Sequence, residues 1–470
     1  MAAAEMNKSR QMPNKKIFGT DGVRGTANVE PVTAGTALKL GRAAGHVFKN
    51  LQSQARGRGR HKIVLGKDTR LSGYMLENAL SSGILSIGVD VLFIGPLPTP
   101  GVAYVTRSLR ADAGIVITAS HNPYDDNGIK FFRADGYKLD DKIEYEIESL
   151  VFSGDIENIR PTAEDIGKAV RIDDALGRYI EHAKASFPRG MTLEGMRIVV
   201  DCAHGAGYKS TPCVLRELGA DVIVFGNAPD GKNINKECGS MHPQLMCQKI
   251  WEHRADVGIA HDGDADRVLL CDEAGRLIDG DDIMAIAGLD LLAQGALRQN
   301  TVVATVMTNA GLDATLGAAG GRMVRTAVGD KNVIDEMLRY DFNFGGEQSG
   351  HLIFRDHGTT GDGLVAALQV LRIMKAKGAP LSQVAKCWTR FPQVVTNILV
   401  RQKRPFEELD NVPKLVASAE EELKPQGGRV FLRYSGTEPK ARLLLEGRDA
   451  ASLEKWTQKI SEAIKKQVGA

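Results

Sequence analysis

The sequence predicts an α/β protein of several consecutive units that ends in a smaller α+β unit. Its 470 residues exceed what a single hydrophobic core supports. At roughly 100–200 residues per domain, they indicate about three or four domains. From Lys62 onward, short apolar β-branched runs alternate with helical stretches, which is typical of a mostly parallel sheet covered by helices. After Phe391-Pro392 the alternation stops, and helices and strands are segregated as in α+β domains.

Composition and charge exclude several classes of protein. Hydrophobic residues make up 43% of the chain and charged residues 25%, as in ordinary globular proteins. The net charge of +2 argues against nucleic-acid binding through bulk charge, and we interpret the basic cluster 56–62 as a solvated loop. Six cysteines show no metal-binding spacing, which fits a reducing compartment. The N-terminus lacks an apolar signal segment, and the apolar stretch 283–297 contains Asp290 and is too short to span a membrane. We therefore expect a soluble, cytoplasmic protein without nucleic-acid or membrane partners.

After a flexible tail at 1–14, we predict a first α/β unit at 15–173. Its predicted strands lie at 63–66, 91–94, 114–118 and 128–132, with helices from Tyr74 and after Pro100. Ahead of them, the glycine-rich stretch 18–25 places an aspartate and Arg24 on a tightly turning loop.

The turn 118–123 in this unit is the first candidate functional segment. Asn122-Pro123 enforces a turn after a buried strand, because proline fixes its own φ and restricts its neighbour. Ser120 therefore stands at the carboxyl end of a strand, where open α/β sheets keep their reactive groups. The alternative is an ordinary turn with a solvated hydroxyl.

A second α/β unit is predicted at 174–298. It reads as a helix from Asp174, followed by strands at 196–201, 222–225 and 256–260 and helices at 208–218 and 243–254. Its last strand leads into three aspartates at every second position: Asp262, Asp264 and Asp266. Such a set of like charges needs a cation, and its oxygen ligands suit Mg²⁺, Mn²⁺ or Ca²⁺. An EF-hand is unlike this loop, because Arg267 stands where that motif requires glycine; a solvated acidic turn is the remaining alternative.

The last two units are predicted at 299–392 and 393–470. The third has a strand at 302–306, the loop 346–351 and a helix at 362–375; the fourth has helices at 406–422 and 452–465 and strands at 429–434 and 441–446. Glu347 in the third unit's loop is suited to clamp neighbouring sugar hydroxyls, although such loops are common. Between the fourth unit's strands, residues 433–439 form an anion nest suited to phosphate, and the nearby Arg442 favours this over a plain hairpin connection.

These stretches, in this order, resemble the α-D-phosphohexomutase superfamily from about Ile17 to Arg448. The carriers of the resemblance are FGTDGVRG (18–25), TASHNP (118–123), DGDADR (262–267), GEQSGH (346–351) and RYSGTEP (433–439). The first motif and the glutamine of GEQSGH are most similar to the phosphoglucosamine branch, since sister loops usually read GEMSGH or GEESFG. Tyr434 departs from a position where the family often has proline.

The resemblance implies a role for each matched residue. Ser120 would be the phosphoserine, and its phosphate and the three aspartates of the acidic loop would hold one Mg²⁺. The residues expected around the transferring phosphoryl group are Arg24, His121, Lys130, Arg267 and His351, with Lys130 as candidate general acid or base. The residues expected to bind the sugar are Glu347, Gln348 and Ser349. The residues expected to bind the distal phosphate are Arg433, Ser435, Gly436, Thr437 and Arg442.

The implied fold has four domains around a central cleft: three related α/β domains and a C-terminal α+β domain. The implied reaction interconverts glucosamine 6-phosphate and glucosamine 1-phosphate through a 1,6-bisphosphate intermediate, in a homodimer. A phosphomannomutase or phosphoglucomutase is the alternative within the family. A metal-dependent phosphatase would not need the serine, the sugar loop and the second phosphate site together, and a catalytically dead sensor should have lost Ser120 or an aspartate.

Overall fold

The structure is a computed structural model that describes residues 16–19, 21–56, 60–435 and 439–470, with the side chains of 52–56 left out. It contains a seven-stranded, a five-stranded, a four-stranded and a three-stranded sheet, which follow one another along the chain. Helices cover the first three sheets, and the fourth packs on two helices. The predicted fold class, three α/β units and a terminal α+β unit, is confirmed.

The first sheet combines parallel and antiparallel strands in the order β1-β2-β6-β5-β3-β4-β7. Strands β5, β3, β4 and β7 run parallel, because helices connect them, and β6, β2 and β1 add antiparallel neighbours. The elements are β1 (Phe18–Gly19), β2 (Gly22–Thr26), α1 (Ala34–Arg56), β3 (Lys62–Lys67), α2 (Gly73–Leu85), β4 (Asp90–Pro96), α3 (Thr99–Ser108), β5 (Ala113–Ile117), β6 (Asp126–Arg133), α4 (Asp141–Ser153), β7 (Ala169–Arg171) and α5 (Ala175–Ala185).

The second and third sheets repeat this plan on a smaller scale. Each has a parallel core, β9-β8-β10 or β14-β13-β15, whose last strand pairs with an antiparallel neighbour, β11 or β16. The elements of the second unit are β8 (Arg197–Asp201), α6 (Ser210–Glu217), β9 (Asp221–Phe225), α7 (Gln244–His253), β10 (Val257–His261), β11 (Val268–Asp272) and β12 (Leu277–Ile278). Those of the third are α8 (Gly280–Ala293), β13 (Thr301–Thr305), α9 (Ala310–Ala318), β14 (Arg322–Thr326), α10 (Asp330–Arg339), β15 (Phe344–Gly346), β16 (Leu352–Phe354), α11 (Gly363–Lys377) and α12 (Leu381–Val384).

The fourth sheet is fully antiparallel, with β19 between β17 and β18. Its elements are β17 (Gln393–Leu399), α13 (Val412–Leu423), β18 (Arg429–Tyr434), β19 (Lys440–Glu446) and α14 (Ala450–Val468). Apolar side chains of β17 and β19 pack with those of α14 in a core separate from that of the other units. By contrast, one hydrophobic core runs continuously from Val64 of the first unit to Trp388 of the third.

Two expectations about local structure were wrong. The helix expected at 406–422 begins only at Val412, because Asn411 has φ = +63° and Pro413 lies in the first turn; a short 3₁₀ turn occupies Phe406–Glu408. The glycine-rich stretch 18–25 is a small antiparallel hairpin, β1 and β2, that joins the first sheet. The expected tail at 1–14 lies outside the described residues, and the unit boundaries at 173, 298 and 392 stay predictions.

No helix in the described ranges combines the length and the apolar character needed to cross a membrane.

Candidate active site

Three of the predicted functional loops occupy equivalent positions in three different sheets. Each follows a strand of the parallel core and leads into the adjacent antiparallel strand: 118–125 joins β5 to β6, 262–267 joins β10 to β11, and 347–351 joins β15 to β16. The carboxyl ends of parallel strands are where open α/β sheets bind ligands. The repeated topology therefore directs the serine, the aspartates and the Glu/His loop towards one shared region.

Contacts between the loops confirm that they lie together. Val268 at the end of the acidic loop donates its N–H to the Gly350 carbonyl at 3.1 Å, and Arg267 and His351 form an isolated antiparallel bridge. At the start of α11, the Gly363 N–H donates to the Ala265 carbonyl at 3.1 Å. The third unit thus holds the acidic loop of the second in place.

Ser120 is buried and directed at the acidic loop. Only 1% of the residue is exposed, and its Oγ donates to Asp262 Oδ2 at 2.6 Å, with His121 Nδ1 at 3.4 Å. Its φ of +51° is in the left-handed region, which costs a non-glycine residue energy unless the surroundings impose it. A strained, buried hydroxyl bonded to a carboxylate argues against the interpretation of Ser120 as part of a solvated turn.

Arg70 imposes this conformation, and no motif in the sequence indicated its role. Its guanidinium is fully buried, pairs with Asp68 at 2.8 Å, and donates to the carbonyls of Ser120 at 2.9 Å and Asn122 at 2.8 Å. It also donates to the carbonyls of residues 123 and 126. From the second unit, Asn235 donates to the same Ser120 carbonyl at 2.8 Å. The only sequence signal was a buried strand, β3, followed by a charged Lys-Asp-Thr-Arg turn.

The three aspartates have the arrangement expected of a metal site. Each offers an oxygen, and these atoms lie within 4.8 Å of one another. Oδ1 of Asp264 and Oδ1 of Asp266 are buried and accept no hydrogen bond from any described residue. Buried carboxylate oxygens without partners are costly, so their presence fits a cation that supplies the missing interaction. The residues present therefore fit a divalent ion with oxygen ligands.

Burial and neighbouring charges shift the pKa values of Asp262 and Asp266 in opposite directions. Burial, reinforced by Asp266 and Asp264, raises the pKa of Asp262 well above its usual range. Burial alone would also raise the pKa of Asp266, but Lys130 and His351 outweigh it and hold that pKa well below its usual range. Asp264 Oδ2 is held by Lys130 at 2.9 Å and by the Thr99 hydroxyl at 2.6 Å, so a residue at the start of α3 also supports the loop.

Lys130 lies on β6, which pairs with the strand β5 that leads to Ser120, and Arg24 lies on β2 on the other side of β6. Lys130 is 2% exposed and lies 3.1 Å from Asp21, and Asp21 also pairs with Arg24. Burial opposes the charge of Lys130, but Asp21 and Asp264 outweigh it and raise its pKa, so the amine stays protonated. Arg267 similarly has a raised pKa, because Asp266 and Asp262 outweigh the effect of burial.

The pKa values of the two predicted histidines are shifted in opposite directions. The pKa of His121 is lowered to about 4 by burial, with contributions from Arg267 and Arg24, so its ring is neutral near pH 7. For His351, burial acts in the same direction, but Asp266 at 3.5 Å outweighs it and raises the pKa. His351 Nε2 accepts the Gly361 N–H at 3.2 Å, which directs Nδ1 towards Asp266.

The predicted sugar loop presents one side chain that is held firmly and others that are more open. Glu347 is buried, and its Oε1 accepts the Gly329 N–H at 3.0 Å. Gln348 is half-buried, and its backbone carbonyl accepts the Gly280 N–H at 3.0 Å. Ser349 is exposed.

The predicted phosphate site lies on one face of the fourth sheet. Asn397, Arg442 and Arg433 are aligned side by side across β17, β19 and β18, so their side chains share a face. With Lys440 and Met307 of the third unit they line a cavity of about 240 Å³. Arg433 and Arg442 lie directly opposite one another in the pairing register, so this face of the sheet is strongly basic. Ser435 follows β18 and is buried, whereas Gly436 and Thr437 lie outside the described residues.

Models of the phosphoglucomutase/phosphomannomutase family match the chain in four consecutive pieces. The alpha/beta/alpha domains I, II and III match residues 15–157, 177–275 and 279–391, and the C-terminal domain matches 395–463. Among solved structures, a phosphoglucomutase/phosphomannomutase family protein from Burkholderia thailandensis superimposes with a TM-score of 0.78 at 23% identity, covering 98% of this chain and 100% of that one. The N-acetylphosphoglucosamine mutase of Aspergillus fumigatus, in complex with GlcNAc-6P and magnesium, gives a TM-score of 0.66 at 18% identity, with 96% of each chain covered. These two likenesses concern the fold.

Curated relatives agree over a much higher share of positions. The phosphoglucosamine mutase of Geotalea uraniireducens is 54% identical over 455 residues, covering 97% of this chain and 99% of that protein. The phosphoglucosamine mutase of Anaeromyxobacter sp. is 56% identical over 459 residues, covering 97% and 96%. The resemblance expected from the motifs is confirmed: this chain belongs to the phosphoglucomutase/phosphomannomutase family, in its phosphoglucosamine mutase branch.

Proposed function

We propose that the protein interconverts glucosamine 6-phosphate and glucosamine 1-phosphate, with Ser120 as the residue that donates and recovers the phosphoryl group. The observation that carries this proposal is the buried hydrogen bond from Ser120 Oγ to Asp262 at 2.6 Å, inside an acidic cluster suited to a cation. Identity of 54–56% to phosphoglucosamine mutases over 97% of the chain supports the same reaction.

Mg²⁺ is the ion we assign to the acidic cluster. Asp262, Asp264 and Asp266 would hold it together with an oxygen of phosphorylated Ser120, since Ser120 Oγ already contacts one of them. When bound, the ion would neutralise the negative charge of the phosphoryl group during transfer.

The cations around Ser120 supply the remaining charge stabilisation. Lys130, Arg24 and Arg267 surround the region where the phosphoryl oxygens would lie, in a site that excludes water and strengthens electrostatic interactions. Because Lys130 is protonated, we assign it the role of acid: it donates a proton to Ser120 Oγ as the Oγ–phosphorus bond breaks and the sugar oxygen bonds to phosphorus, and the proton released by the sugar hydroxyl replaces the one that Lys130 gave. His121 is neutral and next to Ser120, and it would orient the phosphoryl group by hydrogen bonding.

The reaction needs two transfers, with the bisphosphate turned over between them, so the site must hold either end of the intermediate. We assign the distal phosphate to the Arg433–Arg442 row and to Ser435, Gly436 and Thr437 of the following loop. Glu347, Gln348 and Ser349 would bind the sugar. The carboxylate of Glu347 and the Gln348 amide can accept hydrogen bonds from an ammonium at carbon 2, at about 1.5–3 kcal/mol for each charge-assisted bond.

Intact-mass measurement and a substrate panel test the proposal. Purified protein should carry a sub-stoichiometric phosphate that maps to Ser120, and glucosamine phosphates should be turned over more efficiently than the glucose or mannose analogues. Better turnover of mannose or glucose phosphates would instead assign the protein to the phosphomannomutase/phosphoglucomutase alternative.

Substitution of Ser120 tests the carrier directly. Ser120→Ala should reduce turnover at least ~1,000-fold, since among the described residues no other side-chain hydroxyl donates to Asp262. Ser120→Gly is a second variant that also lacks the hydroxyl. Because glycine adopts the observed φ without strain, it shows whether backbone strain at this position affects the result. Near-normal turnover in either variant would exclude Ser120 as the carrier.

We further propose that glucosamine 1,6-bisphosphate is both the intermediate and an activator of the enzyme. We also propose that the protein is a homodimer located in the cytoplasm. Size measurement in solution tests the dimer, and trapping of the bisphosphate during turnover tests the intermediate.

A further inference from the structure

Six buried or nearly buried side chains, alternately acidic and basic, form a closed ring beside the acidic loop. In order around the ring they are Asp21, Lys138, Asp330, His351, Asp266 and Lys130. Three come from the first unit, one from the second and two from the third. Lys138 and Asp330 have no role in the proposed reaction, and they lie outside the sequence motifs that predict the site.

The distances around the ring are short. Lys138 Nζ lies 2.5 Å from Asp21 Oδ1 and also pairs with Asp330 Oδ2. Asp330 Oδ2 lies 3.7 Å from His351 Nε2, and His351 Nδ1 lies 3.5 Å from Asp266. Lys130 closes the ring, at 3.5 Å from Asp266 and 3.1 Å from Asp21.

Lys138 and Asp330 join the first unit to both ends of the sugar loop. Asp330 is the first residue of α10, and the preceding residue, Gly329, donates its N–H to Glu347 Oε1 at 3.0 Å. The same two-residue segment therefore contacts Glu347 at the start of the loop and His351 at its end. Burial favours a neutral Lys138, but Asp21 and Asp330 outweigh it and raise its pKa, so the link is an ion pair.

The proposed reaction requires the sugar to lie accurately in front of Ser120. The Lys138–Asp330 ion pair therefore affects the rate of transfer if it sets the position of the sugar loop. A displacement of about 1 Å between reacting groups costs on the order of 100-fold in rate. Resting on the proposed function, we infer that Lys138 and Asp330 are positioning residues for phosphoryl transfer, which hold Lys130 and the Glu347–His351 loop at a set distance across the cleft.

A neighbouring ion pair provides a matched control. Lys331 Nζ lies 2.6 Å from Asp141 Oδ1, so it connects the same two units through the adjacent residue of α10 and the first residue of α4. This pair is outside the ring, and exposed pairs contribute little to stability.

The experiment measures steady-state kinetics, melting temperature and the single-turnover transfer of phosphate from phosphorylated Ser120 to saturating substrate. The variants are Asp330→Asn, Lys138→Met, their double variant, Lys138→Arg and the controls Lys331→Ala and Asp141→Asn. We expect Asp330→Asn and Lys138→Met to lower kcat and the single-turnover rate about 10- to 100-fold, with KM changed less than about threefold. Lys138→Arg should keep a higher rate than Lys138→Met, because it retains the positive charge. The fold-loss in rate of the double variant should be smaller than the product of the two single fold-losses. The rates of the control variants should stay within about twofold of wild type.

The inference is overturned if Asp330→Asn keeps kcat within about twofold of wild type, or if the controls lose as much rate as the ring variants. A lower melting temperature with unchanged kcat would show a purely structural pair and would equally overturn it. If Lys138→Met does not fold, the isosteric Asp330→Asn decides. Absence of Ser120-dependent turnover in the wild type is a different result, because it would refute the proposed function itself.

Discussion

Asp262 carries the largest electrostatic conflict among the proposed metal ligands. It is fully buried, contacts the Ser120 hydroxyl, and has a raised pKa because burial and the charges of Asp266 and Asp264 all oppose its ionisation. Asp264 is different, since Lys130 and Thr99 both hold its carboxylate. Without a bound cation, the unfavourable electrostatic free energy of the acidic cluster therefore falls mainly on Asp262.

Asp262→Asn should raise the melting temperature of the metal-free protein and abolish the further rise that Mg²⁺ produces. Asparagine cannot ionise, so the substitution removes the free-energy cost that burial and the neighbouring carboxylates impose on Asp262 when the protein folds near pH 7. Thermal unfolding in EDTA and in excess Mg²⁺ measures both effects.

Asp264→Asn is the contrasting variant. It should lower stability in EDTA, because Lys130 loses a carboxylate at 2.9 Å. A destabilised Asp262→Asn protein that still responds to Mg²⁺ would contradict the metal assignment.

At the scale of the elements, each of the first three sheets carries its candidate site residues in the connection between an inner strand and its antiparallel neighbour. This holds for β5 and β6, for β10 and β11, and for β15 and β16. In the fourth sheet the chemistry lies instead on the sheet face, where the pairing register aligns Arg433 with Arg442.

Arg433→Ala should raise KM about 10- to 100-fold, because each charge-assisted hydrogen bond to phosphate contributes about 1.5–3 kcal/mol. The single-turnover rate at saturating substrate should change much less. The variant should be at least as thermally stable as wild type, since it removes one of two opposed arginines.

Arg448→Ala is the control for Arg433→Ala. Arg448 is exposed just after β19, stacks on Phe391 and is not among the residues that line the phosphate cavity. An unchanged KM in Arg433→Ala would remove the sheet face from substrate binding.

At the scale of the whole molecule, side chains of α5 link α3 of the first unit to α11 of the third. The Tyr179 hydroxyl of α5 donates to Asp362 at the start of α11, and the neighbouring His182 stacks on Tyr104 of α3 at a ring distance of 3.9 Å. Burial, with contributions from Arg107 and His357, lowers the pKa of His182 to about 4.

Stability should therefore fall as the pH is lowered from about 6.5 to about 4. In this window His182 binds a proton in the unfolded chain but not in the folded one, so acid favours unfolding. Above pH 6.5 the ring is neutral in both states, and the stabilisation that the folded protein gains from the neutral His182 is fully present. His182→Phe keeps the ring stack on Tyr104 and removes the titration. Its melting temperature should fall less steeply with acid than that of wild type, and equal slopes would contradict the assignment.

Motifs and periodicity predicted the four-unit organisation, because strand and helix patterns are local properties of the chain. They also predicted the loops that carry Ser120, the three aspartates and the Glu347–His351 segment. They did not predict Arg70 or Thr99, whose roles depend on which distant residues they contact: Arg70 supports a loop some 50 residues away, and Thr99 a loop in another unit.

The sequence by itself determined which residue types could perform the chemistry and on which strand ends they stand. Only the tertiary structure decided their states: the left-handed Ser120, the protonated Lys130, the neutral His121 and the ring through Lys138 and Asp330. The physical reason is that burial and charge act through space. A side chain's pKa and geometry depend on neighbours that the fold brings from other units, and local sequence carries no record of those neighbours.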